Sequence, residues 1–362
     1  MRLMPGVAPR PGAGYALAMY TTIPSIRSDV ELIPVEHEGQ AVVFVRDALG
    51  LVPEDKAFTL DLLRLVASVG PGAELAVLTE ALRKATGQDA VNDEVSADVL
   101  SQLDELHLLE TEAFHAARRA VLERWDALDV RPSSLAGRSL PDTAGELGPY
   151  LDGILEAVPE DVPDLPAGAT VRAVVAPHID TRCGGAGYAA AYSAAKDLRP
   201  KRVVVLGVGH AMDEGLYCLT DKDFETPLGR VPTDAEAVAA LREAGGAVVS
   251  PGDFAHKSEH SVELQLGFLQ RLLPQRSFGL VPVLCGTARA LPSYTRGAFR
   301  EAAGGFLEAL RGLLDEDTLL VAGVDFCHVG PKFGHQKTGR ELEGEADRSE
   351  EHTSELQSLL II

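Results

Sequence analysis

"VVAPHID", Val174 to Asp180, closes an apolar run on a proline, an imidazole and a carboxylate. Core strands usually run out into Gly, Asn or Asp turns. A strand of an α/β sheet that releases His178 at its carboxyl end puts it where such folds bind ligands. The alternative is a satisfied histidine beside a turn, and one strand cannot decide between the two. Two further apolar runs end in the same way. "VVVLGVGH" delivers His210, and "TLLVAGVDFCH" delivers Asp325, Cys327 and His328. Three such endings gather imidazole, thiol and carboxylate groups at the carboxyl edge of one sheet.

The segments between these runs alternate. "GGAGYAAAYSAAKDL" reads as a helix of small residues, "LYCLT" as a short strand, and "TDAEAVAALREAG" as a helix opened by a Thr233–Glu236 capping box. "HSVELQLGFLQRLL" puts Val262, Leu266, Leu269 and Leu273 on one helical face. "FGLVPVLCG" is a strand and "FREAAGGFLEALRGLL" a helix. The order predicts an α/β domain, a mainly parallel central sheet with helices on both faces.

Upstream the pattern changes. "ELIPVEHEGQAVVFVR", residues 31–46, reads as a hairpin, and helical stretches follow, two of them stopping on Gly70 and Gly87. This is the pattern of a small winged-helix-like α+β domain. From Asp29 to Glu110 it carries 17 acidic and 5 basic residues, a net of −12. A DNA-reading domain should be basic, so this one is expected to take a protein or peptide ligand. A further helix, "TEAFHAARRAVLERWDAL", leads into the Pro/Gly/Ser-rich "DVRPSSLAGRSLPDTAG", read as a connection with the boundary near residue 130. The expected divisions are a disordered or misannotated lead (1–28), the winged-helix-like domain (29–130), the α/β domain (131–347) and a foreign tail (348–362). The tail rests on "RSEEHTSELQS", which matches the translation of a common sequencing adapter; natural coding sequence is therefore expected to stop near Asp347, short of the real C-terminus.

Composition narrows the class. The chain has 362 residues, 46% of them hydrophobic, and a net charge of −21, which argues against nucleic acid as a partner. No window approaches the roughly 18 apolar residues of a membrane span, and Pro and Gly interrupt the N-terminal stretch where a signal peptide needs an apolar core. The reading is a cytoplasmic protein with no membrane association. The four cysteines form no C-x-x-C pair, so neither a zinc ribbon nor a disulfide framework is indicated. No G-x-S-x-G elbow and no Walker sequence appears. Imidazoles and a thiolate are good ligands for Fe(II), Cu or Zn, and two or three protein ligands leave coordination positions open. "HKSEHS" adds His256, Glu259 and His260 at a helix start, where capping by a solvated charge weighs equally.

"APHIDTRCGGAGYAAAY", "VVVLGVGHAM", "FETPLG", "EHSVELQL", "VPVLCG" and "DFCHVGPKFG" together resemble the Memo family, most closely its prokaryotic branch, the AmmeMemoRadiSam system protein B group. The resemblance runs from about Ala136 to about Gly334. It implies a fold similar to class III extradiol dioxygenases of the LigB type, which hold Fe(II) with two histidines and one carboxylate. In Memo proteins a cysteine replaces the carboxylate. Carried over by motif, the metal ligands fall on His178, His210 and Cys327, and His260 matches an additional pocket histidine. This chain has "HID" where eukaryotic members have "HAGY", so Asp180 offers an extra carboxylate. It also lacks the second histidine that follows His210 in many relatives. The N-terminal domain weakly resembles PqqD-like peptide-binding modules.

The expected function is that of a metal-dependent redox enzyme using Fe(II) or Cu, with Zn as a third option. His260 would act as acid/base and Asp180 as its orienter or a substrate contact. Radical SAM and AMMECR1-like partner proteins are implied by the family. The competing expectation is an accessory protein that holds a metal or peptide for a partner enzyme, so whether the chain is an enzyme stays open at this point.

Overall fold

The computed structural model describes residues 20–37, 40–273, 278–287, 291, 295–325 and 336–338. The chain divides into two compact units, 1–127 and 128–362.

In the first unit, β1 (Val30–His37), β2 (Gln40–Asp47) and β3 (Ala57–Thr59) form an antiparallel sheet in that order. Four helices follow, α1 (Leu60–Val69), α2 (Leu75–Thr86), α3 (Asp93–Glu105) and α4 (Glu112–Asp126). Apolar residues at helical spacing, such as Leu78 with Leu82 and Leu100 with Leu103, close a core with Val45 and Phe58 of the sheet. Residues 20–28, assigned from the sequence to the lead, are among the described residues. Tyr20 and Ile23 are buried in this core, and Arg27 is held by Asp29 and Asp47. Residues 1–19 and the suspected tail 348–362 lie outside the described residues.

The second unit is built on a five-stranded sheet. Its strands are β5 (Ala173–Ala176), β6 (Arg202–Val208), β7 (Tyr217–Leu219), β10 (Gly279–Cys285) and β11 (Thr318–Gly323), in the order β5-β11-β6-β10-β7. The first four run parallel, and β7 is an antiparallel edge. Alternating side chains divide between two cores. Val203, Val205, Leu319 and Val321 face α5 (Ala144–Glu156), α6 (Thr181–Ser193) and α8 (His260–Leu272). Val204, Leu206, Val281 and Val283 face α7 (Ala235–Gly245) and α9 (Arg296–Leu313). The parallel sheet with helices on both faces is therefore present, as expected from the sequence.

Two local readings need correction, and one helix was not read. The capping residue of α7 is Asp234, whose carboxylate accepts the Ala237 N–H, whereas the Thr233 hydroxyl donates to the Lys222 carbonyl. Asp234 also holds Arg202, which fixes it at the cap position. The stretch read as a connection is built into the fold. Val130–Arg131 forms β4, which pairs with β8 (Asp223–Thr226), itself joined to β9 (Gly229–Val231). Residues 144–156 form α5 despite Pro149, because Leu147 and Leu151 are buried in the core shared with α6 and α8, where Leu151 packs on Gly267. Among the described residues, no helix is long and apolar enough to cross a membrane.

Candidate metal centre

The parallel strands β5, β6 and β11 all end on the same side, where the first turn of α8 meets them. Two glycines permit that approach. A Cβ on Gly207 would stand 2.5 Å from the Ser261 hydroxyl, and one on Gly323 would stand 2.8 Å from the Ser261 carbonyl. The Ser261 hydroxyl accepts the Val208 N–H at 2.9 Å and donates to the Val208 carbonyl at 3.1 Å, fastening the helix start to the end of β6. Gln265, one turn later, donates to the Pro177 carbonyl at 2.9 Å and so fixes the "APH" turn.

On this frame His178, His210 and His260 converge, with one ring nitrogen from each within 4.8 Å of the others. The rings of His210 and His260 stack at 4.9 Å, and His178 meets both edge-on at 5.2 and 5.5 Å. His178 is buried, and its Nδ1–H donates to the Gly323 carbonyl at 3.0 Å. Its backbone N–H donates to Asp325 Oδ1 at 3.0 Å, while Asp325 Oδ2 lies 3.7 Å from His178 Nε2. His210 donates through its backbone N–H and Nδ1 to Glu259, at 3.1 Å in each case. His260 is the first residue of α8, with Nδ1 3.4 Å from Glu259 Oε1.

Glu259 caps α8 through the Ser261 N–H and has a side chain only 3% exposed. Burial alone would raise its pKa. The His210 hydrogen bond and the charges of His210 and His260 outweigh that and hold it down to about 2, so it is an anion behind the histidines. Burial lowers the pKa of His260, with help from the neighbouring imidazoles and against the pull of Glu259. Its lone pair is therefore kept available.

The other sequence candidates fall as follows. Asp180 caps α6 by accepting the Arg182 N–H and is ion-paired with the Arg182 guanidinium at 2.5 Å. His256 is buried, sits outside the cluster, and donates from Nε2 to the Cys218 carbonyl at 3.1 Å. Cys327 and His328 lie outside the described residues.

The structure also assigns work to residues that the sequence reading did not use. Glu259 was read with His256 and His260 as a further contributor, weighed equally against a cap, but was given no role; its position immediately before His260 at a helix start was the available clue. Arg131 had none. Its guanidinium is fully buried, bonds the His256 and Glu259 carbonyls at 2.6 and 2.8 Å, and pairs with Glu263 at 2.6 Å.

The donor set suits a transition metal. The described nitrogens are imidazole nitrogens, two of the rings have Nδ1 turned to an acceptor, and a buried anion stands behind them. Fold and site together define an α/β protein with a histidine-rich candidate metal pocket at the carboxyl edge of its sheet. Residues 131–360 match the family described as Memo-like protein, and the chain belongs to that family. It is 30% identical over 290 residues to a MEMO1 family protein of Aquifex aeolicus, covering 80% of this chain and 72% of that protein. That span is longer than residues 131–360, so the similarity reaches into the first unit. A MEMO1 family protein of Methanopyrus kandleri is 32% identical over 218 residues, 59% of this chain and 74% of that protein. The protein memo-1 homolog of Caenorhabditis elegans is 29% identical over 170 residues, 46% of this chain and 45% of that one.

Proposed function

We propose that the chain is a mononuclear metalloprotein of redox type, binding Fe(II) or Cu at His178 and His210, with Cys327 as third ligand and His260 available for proton transfer. The observation that carries this reading is the convergence of three histidines in front of a buried carboxylate. The metal, when bound, supplies a Lewis-acid and one-electron centre with open positions. The residues do the rest. The Gly323 carbonyl and Glu259 orient His178 and His210. His260, its pKa lowered by burial, accepts a proton from a bound substrate and returns it. Asp325 holds the His178 backbone in place. A radical SAM enzyme, with an AMMECR1-like protein, is the proposed partner system.

The test is metal analysis of protein purified without oxygen, followed by oxygen uptake with aromatic diols. Wild type should hold close to one metal per chain, and His178→Ala and His210→Ala should hold little. Absence of metal in wild type under Fe(II), Cu and Zn loading would defeat the proposal. Full loading without oxygen uptake would favour the second reading, an accessory protein that presents a metal or peptide to its partner. The specific support for that reading is the acidic first unit, whose edge strand β1 exposes Leu32 and Val35.

A further inference from the structure

We propose that Glu259 is the positioning residue of the three-histidine centre: its carboxylate receives Nδ1–H from His210, stands beside His260 as a buried counter-charge, and thereby turns His210 Nε2 into the pocket. This rests on the metal-centre reading of the pocket. Capping does not account for the residue. A cap needs one oxygen against the first helical N–H groups and works well in water. Glu259 makes that contact with the Ser261 N–H at 2.9 Å, yet its side chain is 3% exposed and its remaining capacity goes to imidazoles. Both carboxylate oxygens lie 3.1 Å from His210 Nδ1, Oε2 also takes the His210 backbone N–H at 3.1 Å, and Oε1 lies 3.4 Å from His260 Nδ1.

A neutral imidazole carries one hydrogen, and the nitrogen that faces an obligate acceptor is the one that keeps it. An ionised carboxylate only accepts, so it selects the Nδ1–H form at His210, the ring that donates to it. The near-parallel stacking of His210 on His260, 20° between planes, carries the orientation set at His210 over to its neighbour. His178 reaches the same form by a different route, through the neutral Gly323 carbonyl. Glu259 is itself held from behind: Arg131 Nη2 donates to its carbonyl at 2.8 Å, and Ser261 is fastened to β6. Carboxylate partners of this kind typically account for a 10–100-fold difference in metal affinity.

The experiment uses the full chain and two readouts. In metal-free wild type, nitrogen-15 spectra of the histidine rings should show His210 protonated at Nδ1. In Glu259→Gln the amide keeps one acceptor oxygen for three N–H donors, the His210 ring and the backbone N–H groups of His210 and Ser261, so His210 should lose its fixed Nδ1–H form and populate Nε2–H. Competition titration with Co(II) should then show binding weakened by about 10–100-fold in Glu259→Gln. Glu259→Asp, which keeps the charge on a shorter stem, should recover part of that loss. Unchanged ring tautomers, with Co(II) affinity within about threefold of wild type in a folded Gln variant, would overturn the proposal. Protonation of wild-type His210 at Nε2 would overturn it even if no variant folds. Failure of wild type to bind Co(II) would strike the metal-centre reading instead, and the tautomer spectra would still decide the role of Glu259.

Discussion

Asp325 and Cys327 are the two candidates for the third ligand in the proposed centre. Asp325 turns one oxygen to the His178 backbone N–H and keeps the other 3.7 Å from His178 Nε2, on the side where a ligand would stand. An asparagine retains an acceptor for the N–H, so Asp325→Asn should leave His178 in place and metal content nearly unchanged. Cys327→Ser should lower metal content and abolish any sulfur-to-metal charge-transfer band, since a thiolate is the softer ligand. Metal retained in the serine variant and lost in the asparagine variant would make the site a two-histidine, one-carboxylate centre. His256 supports a prediction of another kind. Burial pushes its pKa down from 6.5 to about 4, against the hydrogen bond to the Cys218 carbonyl. Below pH 6.5 the unfolded chain takes up a proton that the folded chain refuses, so stability falls as pH drops toward 4 and is unaffected above 6.5. The slope should approach roughly 1.4 kcal/mol per pH unit. Glu259 acts in a lower window, its contribution being lost only as pH falls from 4.5 toward about 2. Urea unfolding at pH 7 and pH 5 should show a large difference in wild type and a much smaller one in His256→Gln. At this scale the sequence pointed to His178, His210 and Asp325 at the strand ends, where the described residues place them. It did not reveal which group stands behind the pocket, because burial of Glu259 depends on strands far from it in the chain.

The first turn of α8 is the element on which the site depends, and its seat is made by what Gly207 and Gly323 lack. Gly207→Ala would drive a Cβ against the Ser261 hydroxyl and to 2.8 Å from Val262 Cγ2. The expected cost is roughly 1–3 kcal/mol, with weaker metal binding as His260 is displaced from His210. Gly304→Ala, on α9 with nothing within 4 Å of the new atom, should instead stabilise by about 0.4–1 kcal/mol. Thermal melting with Co(II) titration would separate the two, and a neutral Gly207→Ala would remove the steric argument. The strands and most helices were legible because their periods of two and 3.6 are local properties. Helix α5 was hidden by Pro149 and its glycines, and it exists because Leu147 and Leu151 are buried among neighbouring helices, Leu151 against Gly267 of α8. The cap of α7 was misread by one residue because Thr233 is drawn away to the Lys222 carbonyl, a contact no local pattern displays.

Across the whole second unit, Arg131 and Glu263 form a tie between β4 and α8 with both side chains nearly sealed from water. Breaking such a pair leaves a buried charge, and Glu263→Gln or Arg131→Met alone should cost roughly 3–5 kcal/mol. Replacing both with apolar residues of similar volume should cost much less, a contrast readable by chemical denaturation; equal losses would show that the pair is not coupled. The same tie has a meaning in time. Its members are separated by 132 residues. At a synthesis rate of about 5–20 residues per second, Arg131 leaves the ribosome roughly 7–26 s before the carboxylate that receives it. Through that interval the nascent chain carries a solvated guanidinium in a segment that cannot yet adopt its final course. The pocket therefore comes into being late, when α8 arrives and is clasped from a point laid down near the beginning of its unit.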